Sequence, residues 1–248
     1  MPTFALIGYP LSHSFSRAYF TEKFAQLDIS HTHRYLNFEL EEINQFKEKL
    51  EEYPDLSGCN VTIPYKRSII PLLDELDPVA ERIGAVNTIL VGENRTVGYN
   101  TDYIGFRDDL LEQSAGRDFG GQRALLLGTG GASLAVREAL IGLGVTVQYV
   151  SRQPSPGCIT YAEITPRIID RHHLIVNTTP LGMFPLTGAA PELPYDRLTP
   201  DHFCYDLIYN PSETAFMHKA RGAGAGAANG LGMLHKQAEA AWRIWTGG

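Results

Sequence analysis

Arg123-Ala-Leu-Leu-Leu-Gly-Thr-Gly-Gly-Ala-Ser133 is the stretch on which the fold turns. After Arg123 the run to Leu127 is wholly apolar, as expected of a strand covered on both faces in a parallel sheet. Gly128-x-Gly130-x-x-Ser133 follows at once. Leu134 to Leu143 then repeats its apolar residues at helical spacing, with Gly144 placed as the residue that ends the helix. Thr146-Val-Gln-Tyr-Val150 supplies a return strand. A strand, a glycine turn, a helix and a second strand within about 30 residues form a βαβ unit. Such a turn suits a dinucleotide: Gly128 permits the tight bend, and Gly130 and Gly131 let the backbone approach a pyrophosphate. The helix N-terminus then offers free N–H groups and a positive dipole end. The next strand ends in Ser151-Arg152-Gln153, with no acid for a ribose 2′-hydroxyl. Arg152 instead suits the 2′-phosphate of NADP through charge-assisted bonds.

Working outward, the same alternation covers the whole chain. Phe4 to Tyr9, Tyr35 to Phe38 and Gly58 to Ile63 read as strands, as do Ala85 to Val91 and Thr96 to Tyr99. Helices are expected at Phe15 to Leu27, Leu40 to Leu50, Ile69 to Leu76 and Tyr103 to Gln113. Beyond the βαβ unit, strands are expected at Leu174 to Thr179 and Phe203 to Ile208, and helices at Thr214 to Ala220 and Leu231 to Trp245. Gly222 to Gly230 is too rich in Gly and Ala to pack by itself. The pattern predicts an α/β fold with mainly parallel sheets, and Gly116–Gly121 reads as the best loop between two lobes.

The 248 residues amount to about 1.7 domains at ~150 residues each. With 44% hydrophobic and 20% charged residues, the chain has an ordinary globular balance. Lys and Arg number 21 against 28 Asp and Glu, a net charge of −7, which argues against a nucleic-acid surface. No apolar run approaches the ~18 residues of a membrane span, and Met1-Pro-Thr-Phe4 lacks the pattern of a signal peptide. Cys59, Cys158 and Cys204 are odd in number and far apart, as reduced thiols of a cytoplasmic protein would be. The pairs His31-x-His33 and His172-His173 lack a zinc-site partner set, so no metal is expected. No Gly-x-Ser-x-Gly elbow supports a serine hydrolase.

Three further constellations carry possible chemistry. Asn60-Val-Thr-Ile-Pro-Tyr-Lys66 puts a lysine at the C-terminal end of a strand, where open α/β sheets bind ligands. A desolvated lysine serves as an acid or base near neutral pH. Gly98-Tyr-Asn-Thr-Asp102 ends another strand in a carboxylate, which either orients Lys66 or caps the following helix. Ser12, Ser14 and Ser16 stand close together ahead of a helix, as N-caps or as donors to a small carboxylate.

Together these pieces resemble one family, shikimate dehydrogenase. The matching stretches are Gly8 to Ser16, Gly58 to Lys66, Ile83-Gly-Ala-Val-Asn-Thr88, Gly98 to Asp102 and Gly128 to Ser133. They continue with Asn177-Thr-Thr179, Tyr205-Asp-Leu-Ile-Tyr209 and Asn229-Gly-Leu-Gly-Met-Leu234 through Gln237, in family order over nearly the whole chain. The resemblance implies an N-terminal α/β substrate-binding lobe, residues 1–101 plus 230–248, and a Rossmann-like dinucleotide-binding lobe, residues 102–229. It implies reduction of 3-dehydroshikimate with NADPH, with Lys66 and Asp102 as the catalytic pair. Ser14 and Ser16 would hold the substrate carboxylate. Thr62, Asn87, Asp102 and Gln237 would bind ring hydroxyls, helped by Asn60 and Tyr209. Gly128, Gly130, Gly131, Ala132, Ser133, Ser151, Arg152, Asn177, Thr178, Leu207, Gly230 and Met233 would bind NADP. The implied partners are small molecules only, for a monomer or homodimer.

The chain departs from the family pattern in places. Arg17 stands where Pro usually follows the second Ser, near the positive end of a helix, and would help draw an anionic substrate. Gln153 and Pro154 replace residues that in NADP-using members often include Thr and a second Arg. The stretch from Pro154 to Leu174 predicts a reduced crossover, and the stop soon after Trp245 predicts a missing last helix. Two rivals stay open: a quinate/shikimate dehydrogenase using NAD, and a non-catalytic nucleotide-binding regulator.

Overall fold

The computed structural model describes residues 1–11 and 15–247. The chain divides into two compact units, Met1–Thr101 with Ala238–Gly248, and Asp102–Gln237.

The first unit contains β1 (Thr3–Gly8), α1 (Phe15–Gln26), β2 (Arg34–Glu39), α2 (Gln45–Glu52), β3 (Leu56–Val61), β4 (Glu75–Leu76), α3 (Pro78–Ile83), β5 (Thr88–Val91) and β6 (Thr96–Tyr99). Its sheet runs β2-β1-β3-β5-β6-β4. Every residue of β1 is buried. Its side chains alternate between two cores, as successive strand residues must. Ala5 and Ile7 join Phe38, Phe46, Val61 and Ile89 on one face. Phe4 and Leu6 join Phe20, Phe24 and Tyr35 on the other.

This sheet is mixed, with three parallel and two antiparallel strand pairs among the described residues. β1 runs parallel to β2 and β3, but β5 is antiparallel to both β3 and β6. A tight turn closed by Gly92 N–H to Arg95 C=O joins β5 to β6, and strands so joined must be antiparallel. The helix expected over Ile69–Leu76 is corrected. It is a single 3₁₀ turn, Ile70–Leu72, followed by β4 paired parallel to β6. Pro71 has no N–H to continue a helix. Asp77 then starts α3, its side chain accepting from Val79 N at 2.9 Å.

The second unit contains α4 (Asp102–Gln113), β7 (Arg123–Leu127), α5 (Gly131–Gly142), β8 (Thr146–Ser151), β9 (Cys158–Thr160), α6 (Pro166–Ile169), β10 (Leu174–Asn177), β11 (Phe203–Asp206), α7 (Ala215–Gly222), β12 (Gly226–Asn229) and the first turns of α8 (Leu231–Thr246). Its sheet, β12-β11-β10-β7-β8-β9, is parallel throughout. Leu126 and Val176 pack with Phe106 and Val136 on one face, and Leu125 and Ile175 pack with Ile169 and Phe216 on the other. The crossover from β8 to β10 is short, as expected: β9, one 3₁₀ turn and the four-residue α6.

Gly116–Gly121 does not separate the lobes. It joins α4 to β7 inside the second unit, because Phe106 and Leu110 of α4 belong to that unit's core. The Gly/Ala-rich stretch also gains a reason. It forms edge strand β12, and a Cβ on Gly226 would stand 2.8 Å from the Phe203 ring. From Ala238 on, α8 packs in the first unit, where Trp245 stacks on Phe4 and donates to Ile89 C=O at 2.9 Å. Among the described residues, no helix is long and apolar enough to cross a membrane.

Candidate active site

In the first unit a chain of polar side chains runs through the interior. Ser16, in the first turn of α1, bonds the Tyr35 hydroxyl from β2. That hydroxyl donates to Asn60 Oδ1 at 2.7 Å. Asn60 Nδ2 reaches Thr88 Oγ1 at 3.4 Å. Thr88 donates to Asn87 Oδ1 at 3.1 Å, and Asn87 Oδ1 also accepts from Thr101 N at 2.7 Å. Asn60 and Asn87 are only 4% and 3% exposed. Burying so many polar groups is tolerable only because each is paired. The effect is to fix the amide rotamers of Asn60 and Asn87. Burial pushes the Tyr35 phenol well above its ordinary range, and the Ser16 bond pulls slightly the other way, so Tyr35 stays a neutral donor.

Lys66 sits on the turn after β3, half-buried. That turn is clamped twice. The buried Tyr65 hydroxyl donates to Leu40 C=O at 2.6 Å and Glu41 C=O at 2.8 Å. The Lys66 carbonyl accepts from Val86 N at 2.7 Å. Thr62, on the same turn, takes a bond from its N–H to Ile7 C=O. Of the expected substrate residues, Ser14 lies outside the described residues, while Ser16, Asn60, Thr62, Lys66 and Asn87 lie in this unit.

Asp102, Tyr209 and Gln237 lie in the second unit. Asp102 is the first residue of α4, where a carboxylate also suits the helix dipole. Gln237 lies on α8 and packs closely on Gly105 of α4. Tyr209 follows β11 and is 44% exposed.

The glycine turn opens a cleft of about 800 Å³, lined by Gly128, Thr129, Gly130, Ser151, Arg152, Tyr161 and Thr178–Leu181, among others. Gly128 adopts φ 102°, a backbone that favours glycine, and a Cβ there would also meet Thr178 Oγ1 at 2.9 Å. Gly130 caps α5 with no side-chain bond, and nothing lies within 4 Å of a Cβ built on Gly130 or Gly131. This bare helix N-terminus fits a pyrophosphate. Ser133 is fully buried and donates to Gly130 C=O at 2.6 Å, so its hydroxyl holds the loop in shape. Thr178 Oγ1 likewise donates to Leu127 C=O at 2.7 Å. Arg152 is exposed at the end of β8, beside the Tyr161 ring. It is the one cationic side chain among the described residues lining the cleft.

Asp206 supports this cleft from behind. The fully buried carboxyl accepts from Asn177 Nδ2 at 3.0 Å, Ile208 N at 3.1 Å and Thr214 Oγ1 at 2.7 Å. Asn177 Oδ1 in turn accepts from Thr179 Oγ1 at 2.6 Å and fixes the Thr178–Leu181 rim. Burial raises Asp206 from 3.8 to about 6 despite these bonds. The native state therefore holds its proton more tightly than the unfolded chain. The contribution of Asp206 to stability falls as pH rises from about 4 to about 6 and levels off above. Asn at this position mimics the protonated form. The unfolding free energy of Asp206→Asn relative to wild type is expected to shift in favour of the variant by on the order of 3 kcal/mol across that window. Urea titrations at the two ends of the window check it, and a difference constant with pH would refute it.

Tyr35, Tyr65, Thr88, Thr101 and Asp206 were not among the residues expected from sequence. The signal for the tyrosines was weak, since a Tyr inside an apolar run reads as core. Among the described residues no group of His, Cys, Asp and Glu could hold a metal ion.

Comparison with known proteins bears on the same geometry. Residues 6–89 match the model of the shikimate dehydrogenase substrate binding domain. The chain is 37% identical to the shikimate dehydrogenase (NADP(+)) of Desulforamulus reducens, over 98% of this chain and 89% of that one. Shikimate dehydrogenase 1 from Peptoclostridium difficile superposes with a TM-score of 0.81 at 38% identity, covering 100% of this chain and 92% of that one. Shikimate 5-dehydrogenase from Thermus thermophilus, solved with NADP(H) and shikimate, superposes with a TM-score of 0.84 at 32% identity, covering 100% and 94%. With the glycine turn, the lysine turn and the buried polar chain all present in a match over 98% of this chain, the chain belongs to the shikimate dehydrogenase family.

Proposed function

We propose that this protein interconverts 3-dehydroshikimate and shikimate, using NADP(H), within aromatic amino-acid biosynthesis. The observation that carries this reading is the buried polar chain from Ser16 to Asn87, which presents oriented hydroxyl and amide groups beside the Lys66 turn. Such a surface suits a small polyhydroxylated carboxylate. Ser16, with Ser14, takes the carboxylate. Asn60, Thr62, Asn87, Asp102, Tyr209 and Gln237 take the ring hydroxyls.

The dinucleotide supplies hydride chemistry when bound against Gly128–Ser133, Ser151 and Arg152, with Asn177, Thr178, Leu207, Gly230 and Met233 along its length. Lys66 serves the substrate oxygen at C3. As the carbonyl carbon is reduced, negative charge grows on that oxygen, and the Lys66 ammonium stabilises it and donates a proton. Asp102, the first residue of α4, is the second member of the proposed catalytic pair. The substrate lobe is assigned residues 1–101 and the dinucleotide lobe residues 102–229; residues 230–237, expected with the substrate lobe, fall in the second compact unit, and the chain returns to the first at Ala238. The three cysteines are free, two of them buried, in keeping with a cytoplasmic setting.

A second reading, NAD-linked oxidation of quinate, is favoured by the single arginine in the dinucleotide cleft. Steady-state assays with shikimate and quinate, each with NADP⁺ and NAD⁺, decide between them. Preference for shikimate with NADP⁺ is the expected result, and preference for quinate with NAD⁺ overturns it. Dinucleotide binding with no turnover of either substrate would instead indicate a regulator.

A further inference from the structure

Asp109 is a carboxyl on the inner face of α4 and only 1% exposed. A leucine would fill that place at lower desolvation cost, so its presence asks for a reason. The Tyr205 hydroxyl, also buried, donates to Asp109 Oδ2 at 2.5 Å. Met233 turns its backbone N–H toward the same hydroxyl. Gly232, in the first turn of α8, lies directly on the carboxyl: a Cβ there would stand 2.5 Å from its carbon. The positive end of α8 thus faces Asp109.

One helical turn after Asp102, the same two helices meet again. A Cβ on Gly105 would stand 2.6 Å from Met233 C=O and 2.9 Å from Gln237 N. Asp102, Gly105 and Asp109 are spaced three and four apart and share one face of α4. The α4–α8 crossing is therefore keyed at two points by glycine-on-backbone contact and tied by the Asp109–Tyr205 bond.

We propose that Asp109, through Tyr205, is a positioning residue that sets the register of α4 against α8, and with it the placement of Asp102 relative to Gln237. The inference rests on the reading of Asp102 and Gln237 as substrate contacts. Buried polar pairs that fix a helix register are a known use of such costly groups. The glycine turn follows β7 and Arg152 follows β8, and neither belongs to α4 or α8, so any loss of dinucleotide affinity runs only through Met233 and Gly230 and is expected to be smaller than the loss toward shikimate.

Asp109→Ala, Asp109→Asn and Tyr205→Phe test this in the full chain. In Asp109→Ala, kcat/KM for shikimate falls on the order of 100-fold, the cost of a misplacement of about 1 Å. The NADPH dissociation constant from fluorescence titration rises far less, by no more than about tenfold through Met233, and the amides of Met233–Gln237 exchange hydrogen faster. Asp109→Asn, which can still accept from Tyr205, restores shikimate kcat/KM to within about threefold of wild type. If Asp109→Ala does not fold, Tyr205→Phe, which lacks only a hydroxyl, carries the same test with a loss of about tenfold. Unchanged kcat/KM in a folded variant, an equal loss of NADPH affinity, or unchanged exchange in that turn overturns the proposal. A wild-type chain inactive on shikimate overturns the proposed reaction instead, and the exchange data then decide the joint alone.

Discussion

Lys66→Ala and Asp102→Asn each lower shikimate turnover by about 10²- to 10⁴-fold, the range of a lost general acid–base step. The effect is expected in kcat more than in KM, because proton donation to the C3 oxygen matters only as charge develops there. Neither change should unfold the protein. At position 66 the backbone carbonyl bonds Val86 N at 2.7 Å, which Lys66→Ala keeps, and the turn is held by the Tyr65 hydroxyl. Asp102 opens α4, and Asn keeps its size while removing its charge. Thermal unfolding and NADPH binding should therefore match wild type closely. Near-normal turnover in either variant would take that residue out of the chemistry. A collapse of NADPH binding alongside turnover would show that the residue serves structure.

The βαβ unit from Arg123 to Val150 was readable because three signals coincide there: an apolar run, a glycine turn and a helical period. Lys66 and Asp102 were readable as strand-end residues for a similar reason, each closing a short apolar segment. Ile69–Leu76 was misread because its apolar spacing is helical while Pro71 forbids the helix. The Gly/Ala stretch had no explanation in the sequence. Gly226 is small because Phe203 occupies the space where its side chain would stand, a fact of packing that composition does not carry. The polar role of Tyr35 was hidden because its ring belongs to the core with Phe20 and Phe24 while its hydroxyl alone reaches Asn60. Asp109 shows the same limit: a charge within a helical pattern reads as solvated surface until the partner, Tyr205, arrives from a strand 96 residues away in sequence.

Arg152→Ala should lower kcat/KM for NADP⁺ by about 10- to 150-fold, the worth of a hydrogen bond to a charged group of about 1.5–3 kcal/mol, and should leave NAD⁺ nearly unchanged. The asymmetry is the point of the prediction, since the two dinucleotides differ only at the 2′-phosphate. Gln153 and Pro154 provide no second cation beside it, so the preference for NADP⁺ rests on one guanidinium. Arg152 is exposed, so its loss should not move the unfolding midpoint. Arg152→Lys should recover only part of the loss, because an ammonium cannot match a phosphate with two parallel bonds. The NADP⁺ term should also weaken with added salt in wild type and much less in Arg152→Ala. Equal losses with both dinucleotides would mean that Arg152 serves the part they share, the adenine or ribose. No loss with either would leave the 2′-phosphate unrecognised in this cleft and favour the NAD-linked reading.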